Sequence, residues 1–325
     1  MPKLWRIKKP KIDVLIVLII LAVVVAIIAP VSGRNAELFS IATSIAIALL
    51  FFLYGARLSP AEAFEGFKHW KLHLTILVFT FVVYPLIGLA MMPLRDILPS
   101  GMYDGILYMT LVPSTVQSSV AFTSIAGGNV AGSIVSASAS NLIGVILTPL
   151  LVMLTMQAGG GVTVDSGVFI DIAVQLLLPF ILGQLARKWV KGIAAHKATK
   201  VVDRGSITMV VYSAFSAGMV SGVWQSVTAM QIIGLALFSI FLVISMLALT
   251  RWIAGFLGFN QADRIAIEFC GSKKSLATGL PMASVIFGTG SLGMLILPLM
   301  IYHQLQLMIC SVLASHYAQR RLLDS

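Results

Sequence analysis

Charged side chains are scarce in this sequence. Asp, Glu, Lys and Arg make up 10% of its 325 residues, whereas 58% are hydrophobic. Soluble domains carry roughly 25% charge, and a chain of this size cannot bury so much apolar surface in a water-soluble core. The scarcity excludes a soluble domain and leaves an all-α polytopic membrane protein. Cysteine is nearly absent too. Cys270 and Cys310 both lie in apolar segments, so no disulfide framework and no cysteine-based metal site follows. Neither Gly-x-Ser-x-Gly nor His-Glu-x-x-His occurs, and no pair of intramembrane aspartates offers an acid–base dyad. A Ser272–Lys273 dyad is the one enzymatic arrangement left, and we read the chain as no enzyme. Acids are outnumbered, 12 to 22, for a formal charge of +10. Cytoplasmic loops of membrane proteins are rich in Lys and Arg, which accounts for the excess without a nucleic-acid partner.

What the sequence has is apolar runs of membrane length. Ten spans can be cut, each near the roughly 20 residues a bilayer needs: 14–31, 36–54, 72–92, 102–126, 130–156, 167–190, 203–222, 227–250, 262–288 and 291–316. The first follows Lys3, Arg6, Lys8, Lys9 and Lys11, and Pro30 stands where a signal peptide would be cleaved, so it reads as a retained helix. With the N-terminus inside, 18 Lys/Arg fall on the inner side, and the outer loops hold only Arg34 and Arg95. This bias places both termini in the cytoplasm, in the inner membrane if the source is bacterial. Between spans two and three, Ser59-Pro-Ala-Glu62 forms a capping box, and Phe64, Phe67 and Trp70 recur every three residues. A short interfacial helix is expected there. Ala158-Gly-Gly-Gly161 divides the spans five and five, as residues 1–157 and 158–325. An odd number of spans per half forces opposite orientations, the arithmetic of an inverted repeat.

Two spans are interrupted at matching places. Span four contains Val112-Pro-Ser-Thr-Val-Gln-Ser-Ser-Val120, where Pro113 breaks the helix and Ser114, Thr115, Gln117, Ser118 and Ser119 follow. Span nine breaks at Cys270-Gly-Ser-Lys-Lys-Ser275, just after Glu268. Irregular backbone survives in a membrane where it lines a cavity or is packed in protein. An ionised side chain there costs roughly 2.5–3.5 kcal/mol on insertion scales, so Glu268, Lys273 and Lys274 need a cause. Glu268 is expected to face the lysines, either as a structural ion pair or as a coupling device. A lysine beside two broken helices favours an anionic substrate. Near the breaks, Ser133, Ser136 and Ser140 share one face of span five, and Tyr302, His303, Gln304 and Gln306 lie in span ten. Ser114, Thr115, Gln117, Ser136, Ser275, His303 and Gln304 are the candidate cavity residues. His303 is read chiefly as hydrogen-bonded structure, with proton carriage as the alternative. Thr80 in span three carries little weight by itself.

Over essentially its full length the chain resembles the bile acid:sodium symporter superfamily, nearest its branch of bacterial YfeH-like proteins and vertebrate solute carrier family 10 member seven. Pro113–Ser124, Ala126-Gly-Gly-Asn-Val-Ala131, Phe269-Cys-Gly-Ser-Lys-Lys-Ser-Leu-Ala277 and Leu297-Pro-Leu-Met-Ile-Tyr-His-Gln304 carry the likeness. The resemblance implies two inverted five-helix repeats, with spans four and nine broken and crossing. It implies a panel of spans one, two, six and seven that moves against a core of spans three to five and eight to ten. It implies a secondary active transporter acting by alternating access, with no cofactor other than sodium. One sodium would lie at Ser118, Ser119, Ser133 and Glu268. A second would lie near Thr80 and Ser272. Where relatives carry asparagines, this chain has Ser119 and Lys273, so the coupling ion is sodium or a proton. A monomer is expected, in contact with lipid and a small-molecule substrate. The vertebrate relatives also raise an alternative, a regulator or channel of calcium homeostasis without coupled transport.

Overall fold

Residues 14–57, 69–99, 101–157, 170, 173–196, 198–288 and 292–323 are described by a computed structural model of the chain. The expected interfacial helix after Ser59, the loop at Ala158–Gly161 and the basic N-terminal residues lie outside them. No strand occurs among the described residues. The helices are α1 (Val14–Ile28), α2 (Gly33–Arg57), α3 (Trp70–Ala90), α4 (Met102–Leu111), α5 (Gln117–Ala126) and α6 (Val130–Val152). After the loop come α7 (Leu178–Ala194), α8 (Thr199–Ser221), α9 (Ala229–Phe256), α10 (Gln261–Gly271), α11 (Leu276–Phe287) and α12 (Leu292–Leu323). Among the described residues, five helices are long and apolar enough to cross a membrane: Gly33–Arg57, Trp70–Ala90, Val130–Met156, Ala229–Phe256 and Leu292–Arg321. On α9 the exposed Ile233, Leu237, Phe241 and Ile244 form one stripe, an outward apolar face suited to lipid.

Local chemistry sets the helix ends. Asn129 Oδ1 accepts from Gly132 N to start α6, and Asn260 Oδ1 accepts from Asp263 N to start α10. Thr228 and Gln231 form a reciprocal capping box at α9. Gly127 and Gly222 adopt φ of 75° and 73° at the ends of α5 and α8, the left-handed cap that glycine tolerates.

Packing falls into two groups. In one, α2 lies along α7 and α8, and α1 lies along α8. Gly55 of α2 and Gly183 of α7 meet the carbonyls of Phe180 and Phe52, with no room for a Cβ. Arg57 ties the same three helices, pairing with Asp203 at 2.8 Å and donating to Ala194 O and Thr199 Oγ1. In the other group, α12 packs on α4, α5 and α9, while α10 packs on α3, α5, α6 and α9. Helix α8 touches both groups through α11 and α12.

Candidate functional site

The two breaks meet. Helix α4 ends at Leu111 and α5 begins at Gln117; α10 ends at Gly271 and α11 begins at Leu276. Ser275 N donates to Pro113 O at 2.8 Å, which joins the breaks by their main chains. Ser275 Oγ also caps α11 by accepting from Thr278 N. An added Cβ at Gly144 of α6 would come within 2.8 Å of the Pro113 ring, so α6 lies flush against the first break.

Many of the carbonyls freed at the crossing accept from side chains or main chain of neighbouring elements. At the first break, Leu111 O accepts from Thr148 Oγ1 (3.0 Å), Pro113 O from Ser275 N and Ser114 O from Asn141 Nδ2 (2.8 Å). At the second, Ser119 Oγ donates to Phe269 O (3.0 Å) and Ser114 Oγ to Cys270 O (2.6 Å). Ser272 O accepts from Tyr84 (2.5 Å) and Tyr302 (3.1 Å). Gln306 holds Lys274 from both sides, its Oε1 accepting from the amide and its Nε2 donating to the carbonyl. An unpaired buried acceptor costs about 1–3 kcal/mol, so these donors are what permits the two interruptions.

The acid and the two lysines occupy three separate environments. Lys274 is fully buried, and its ammonium donates to Thr80 O at 2.8 Å, Thr110 O at 2.7 Å and Val112 O at 2.9 Å. The Tyr84 ring lies beside it, with Nζ 4.2 Å from the centroid. Lys273 is equally buried, but its Nζ has no hydrogen-bond partner. It sits 4.0 Å from the Phe122 ring centroid and 5.5 Å from that of Phe269. Glu268 turns to neither lysine. Its Oε2 pairs with Arg251 at 3.1 Å, and Tyr317 donates to both carboxylate oxygens at 3.0 and 3.1 Å. Arg251 also stacks on the Tyr317 ring at 4.9 Å. The expected Glu268–lysine pair is therefore replaced by a Glu268–Arg251–Tyr317 cluster. Glu268 lies seven residues into α10, about 10 Å along the helix, where two partners from helix ends can reach it.

The other expected site residues spread across this crossing. Thr115 bonds Ser118 and Ser119 at 2.7 and 2.9 Å, and Ser133 contacts Cys270 Sγ at 3.0 Å and Thr123. Thr80 contributes its carbonyl to Lys274, while its hydroxyl bonds Ile76 O. Ser272 Oγ turns back to Glu268 O. Ser136 contacts His73 Nδ1 at 2.6 Å, and His303 lies between Gln306 and Lys274 O. Gln304 is half-buried and Gln117 is exposed. Among the described residues no hydrogen bond joins the Glu268 carboxylate to Ser118, Ser119 or Ser133. Arg251, Tyr317, Tyr84 and Thr110 are the participants that residue type and spacing alone do not single out. Arg251 and Tyr317 lie one residue beyond the predicted ends of spans eight and ten, while the helices run on to Phe256 and Leu323.

The sequence profile of the SBF-like CPA transporter family (DUF4137) matches residues 13–319. The chain belongs to that family. Members of the SBF-like family are transporters rather than enzymes. The chain is 48% identical over 299 residues to the uncharacterized protein PA2026 of Pseudomonas aeruginosa, covering 90% of this chain and 89% of that one. It is 43% identical over 323 residues to YfeH of Escherichia coli strain K12, whose name proposes a symporter; 98% of this chain and 95% of YfeH align. It is 29% identical over 277 residues to sodium/bile acid cotransporter 7 of Xenopus tropicalis, across 83% of this chain and 80% of the relative. These likenesses bear out the resemblance to the bile acid:sodium symporter superfamily and its YfeH-like branch.

Proposed function

We propose that this SBF-like transporter is a secondary active transporter of a small organic anion, coupled to sodium or protons and working by alternating access. The single observation that carries the reading is the bond from Ser275 N to Pro113 O, where two interrupted helices meet in an apolar interior. Paired interruptions of this kind are the arrangement in which transporters place binding sites. The names of YfeH and of the sodium/bile acid cotransporter 7 proteins favour symport. In this reading the ten spans form two inverted five-helix repeats with both termini in the cytoplasm. Spans three to five and eight to ten form the core, and spans one, two, six and seven form the moving panel. The weight of contact within each group, bridged by α8, supports that division. Lys273, whose amine has no hydrogen-bond partner, is the basic group available to an anion if the panel moves away. Glu268 then couples through its ties to Arg251 and Tyr317.

A thermal-shift screen of organic anions with sodium or choline at several pH values identifies ligands, since whatever binds the native state raises its stability. Uptake of the strongest ligand into proteoliposomes is then compared under an imposed sodium gradient and an imposed proton gradient. One gradient is expected to drive accumulation, and Glu268→Gln is expected to abolish the coupling. Wild-type coupled uptake by Glu268→Gln overturns the role given to this acid. Ohmic currents without gradient-driven accumulation overturn the transporter mechanism itself.

A further inference from the structure

We infer that the Lys274 ammonium is the built-in cation of a main-chain carbonyl site, and that removing this side chain opens the site to a small monovalent cation. The inference rests on the geometry of the cage and not on the transport reading.

The three carbonyls are free for independent reasons. Residues 79–83 of α3 wind as a π-helix, with Tyr84 N donating to Phe79 O five residues back. One residue on, that register assigns Thr80 O to the amide of residue 85. Residue 85 is proline, which has no N–H, so Thr80 O is left over. Thr110 is in the last turn of α4, whose final carbonyls have no partner within the helix. The amide that would continue the turn, Ser114 N, donates to Ser140 Oγ. Val112, just past the helix end, is extended at ψ 155°. Two elements thus aim three orphan acceptors at one point.

The chemistry at that point is that of a cation site. Three neutral carbonyl oxygens and one aromatic face, with no carboxylate among the contacts, resemble the ring of main-chain dipoles that strips and holds an alkali ion. Lysines inside a membrane ordinarily pair with an acid or with backbone carbonyls. Here the match is one donor per acceptor, so all three ammonium hydrogens are used. The Lys274 backbone is fixed separately, by Gln306 on both sides and by the neighbouring Ser275–Pro113 bond. Truncation at Lys274 should therefore empty the cage without moving its walls. The native chain then needs no inorganic ion here, and any sodium dependence of its transport arises elsewhere.

The test compares full-length wild type with Lys274→Ala and Lys274→Met in detergent, by thermal unfolding at constant ionic strength. Choline is exchanged for lithium, sodium, potassium or n-propylammonium, which replaces the lost atoms. Lys274→Ala is expected to unfold at lower temperature in choline. One of the small ions or n-propylammonium should then raise its Tm saturably, beyond any response of the wild type. Lys274→Met, whose chain fills the cage with an apolar group, is expected to stay destabilised in every cation. Two results overturn the inference: an Ala variant that responds to the cations no more than wild type, or a Met variant as stable as wild type. If the Ala variant cannot be recovered, wild-type protein labelled with 15N-lysine decides the matter. A solvent-protected ammonium resonance that is missing from Lys274→Met supports the inference, and its absence from the wild type overturns it.

Discussion

The two helix breaks meet the same difficulty with different materials. Each frees carbonyls in an apolar interior, where every unpaired acceptor is costly. The break after α4 is made by proline, and two of its acceptors, Thr110 O and Val112 O, go to a charged donor from the other break. The break after α10 has no proline. Its carbonyls are met by neutral donors: Ser114, Ser119, Tyr84, Tyr302 and Gln306. The first break thus gives two acceptors to one charged residue beside three met by neutral donors, whereas the second relies on neutral donors alone. A charge-assisted bond is roughly twice as strong as a neutral one, but a single donor to three acceptors concentrates the loss when it is removed. Distributed neutral donors fail one at a time.

The largest expected effect follows from that concentration. Lys274→Met should destabilise the protein by several kcal/mol, since three buried carbonyls lose their donor at about 1–3 kcal/mol each, as read by denaturant or thermal unfolding. A loss under about 1 kcal/mol would mean that the carbonyls find other donors. Next comes Arg251→Met, which strands the Glu268 carboxylate at the entry to the second break. Because Arg251 is itself 30% exposed, the expected cost is about 2 kcal/mol, below the roughly 3–5 kcal/mol of breaking a fully buried pair. Adding Glu268→Gln should recover most of it. Failure of the second change to help would separate the acid from the arginine. Smaller still are Tyr84→Phe and Tyr302→Phe, about 1 kcal/mol each. Ser272 O keeps one donor in either single variant and loses both in the double variant, so the double effect should exceed the sum. Simple additivity would argue that the shared acceptor is not what the tyrosines stabilise.

How much of this was legible differs between the two breaks for the same reason. Pro113 announces the first in any reading, because a missing N–H and a ring clash are local facts. The second is visible only as polarity: Gly271, Ser272, Lys273, Lys274 and Ser275 inside an apolar run. The all-helical, membrane-type fold follows from hydropathy alone, and the family from the motifs at both breaks. The partners did not follow. Main-chain acceptors have no sequence signature, so nothing in the letters directs Lys274 to Thr80, Thr110 and Val112 instead of to Glu268. Opposite charges close in sequence suggest a pair, yet side chains five and six residues apart on opposite sides of a helix end need not share a face. Arg251 and Tyr317 escaped because a hydropathy cut closes each span at about bilayer length, whereas the helix continues past it. Charged and aromatic side chains at helix ends belong partly to the interior.

The smallest expected effect is also the most discriminating, because it falls on the neighbour of the residue with the largest. Lys273 is as buried as Lys274 but makes no hydrogen bond and rests on two aromatic rings. Replacing it by methionine, of similar length, removes a polar group from an apolar slot and strands no acceptor. Substituting an apolar isostere at such a position is often neutral or stabilising, because relief of the buried amine's desolvation offsets the lost cation–π contacts, worth about 2 kcal/mol or more when desolvated. Lys273→Met should therefore unfold within about 1 kcal/mol of the wild type, on either side. Ligand-induced stabilisation by organic anions should fall in the same protein, as the proposed anion contact requires. If Lys273→Met were instead as unstable as Lys274→Met, the two lysines would be equivalent structural cations. The contrast between a charge that holds the crossing together and a charge held in reserve within it would then fail.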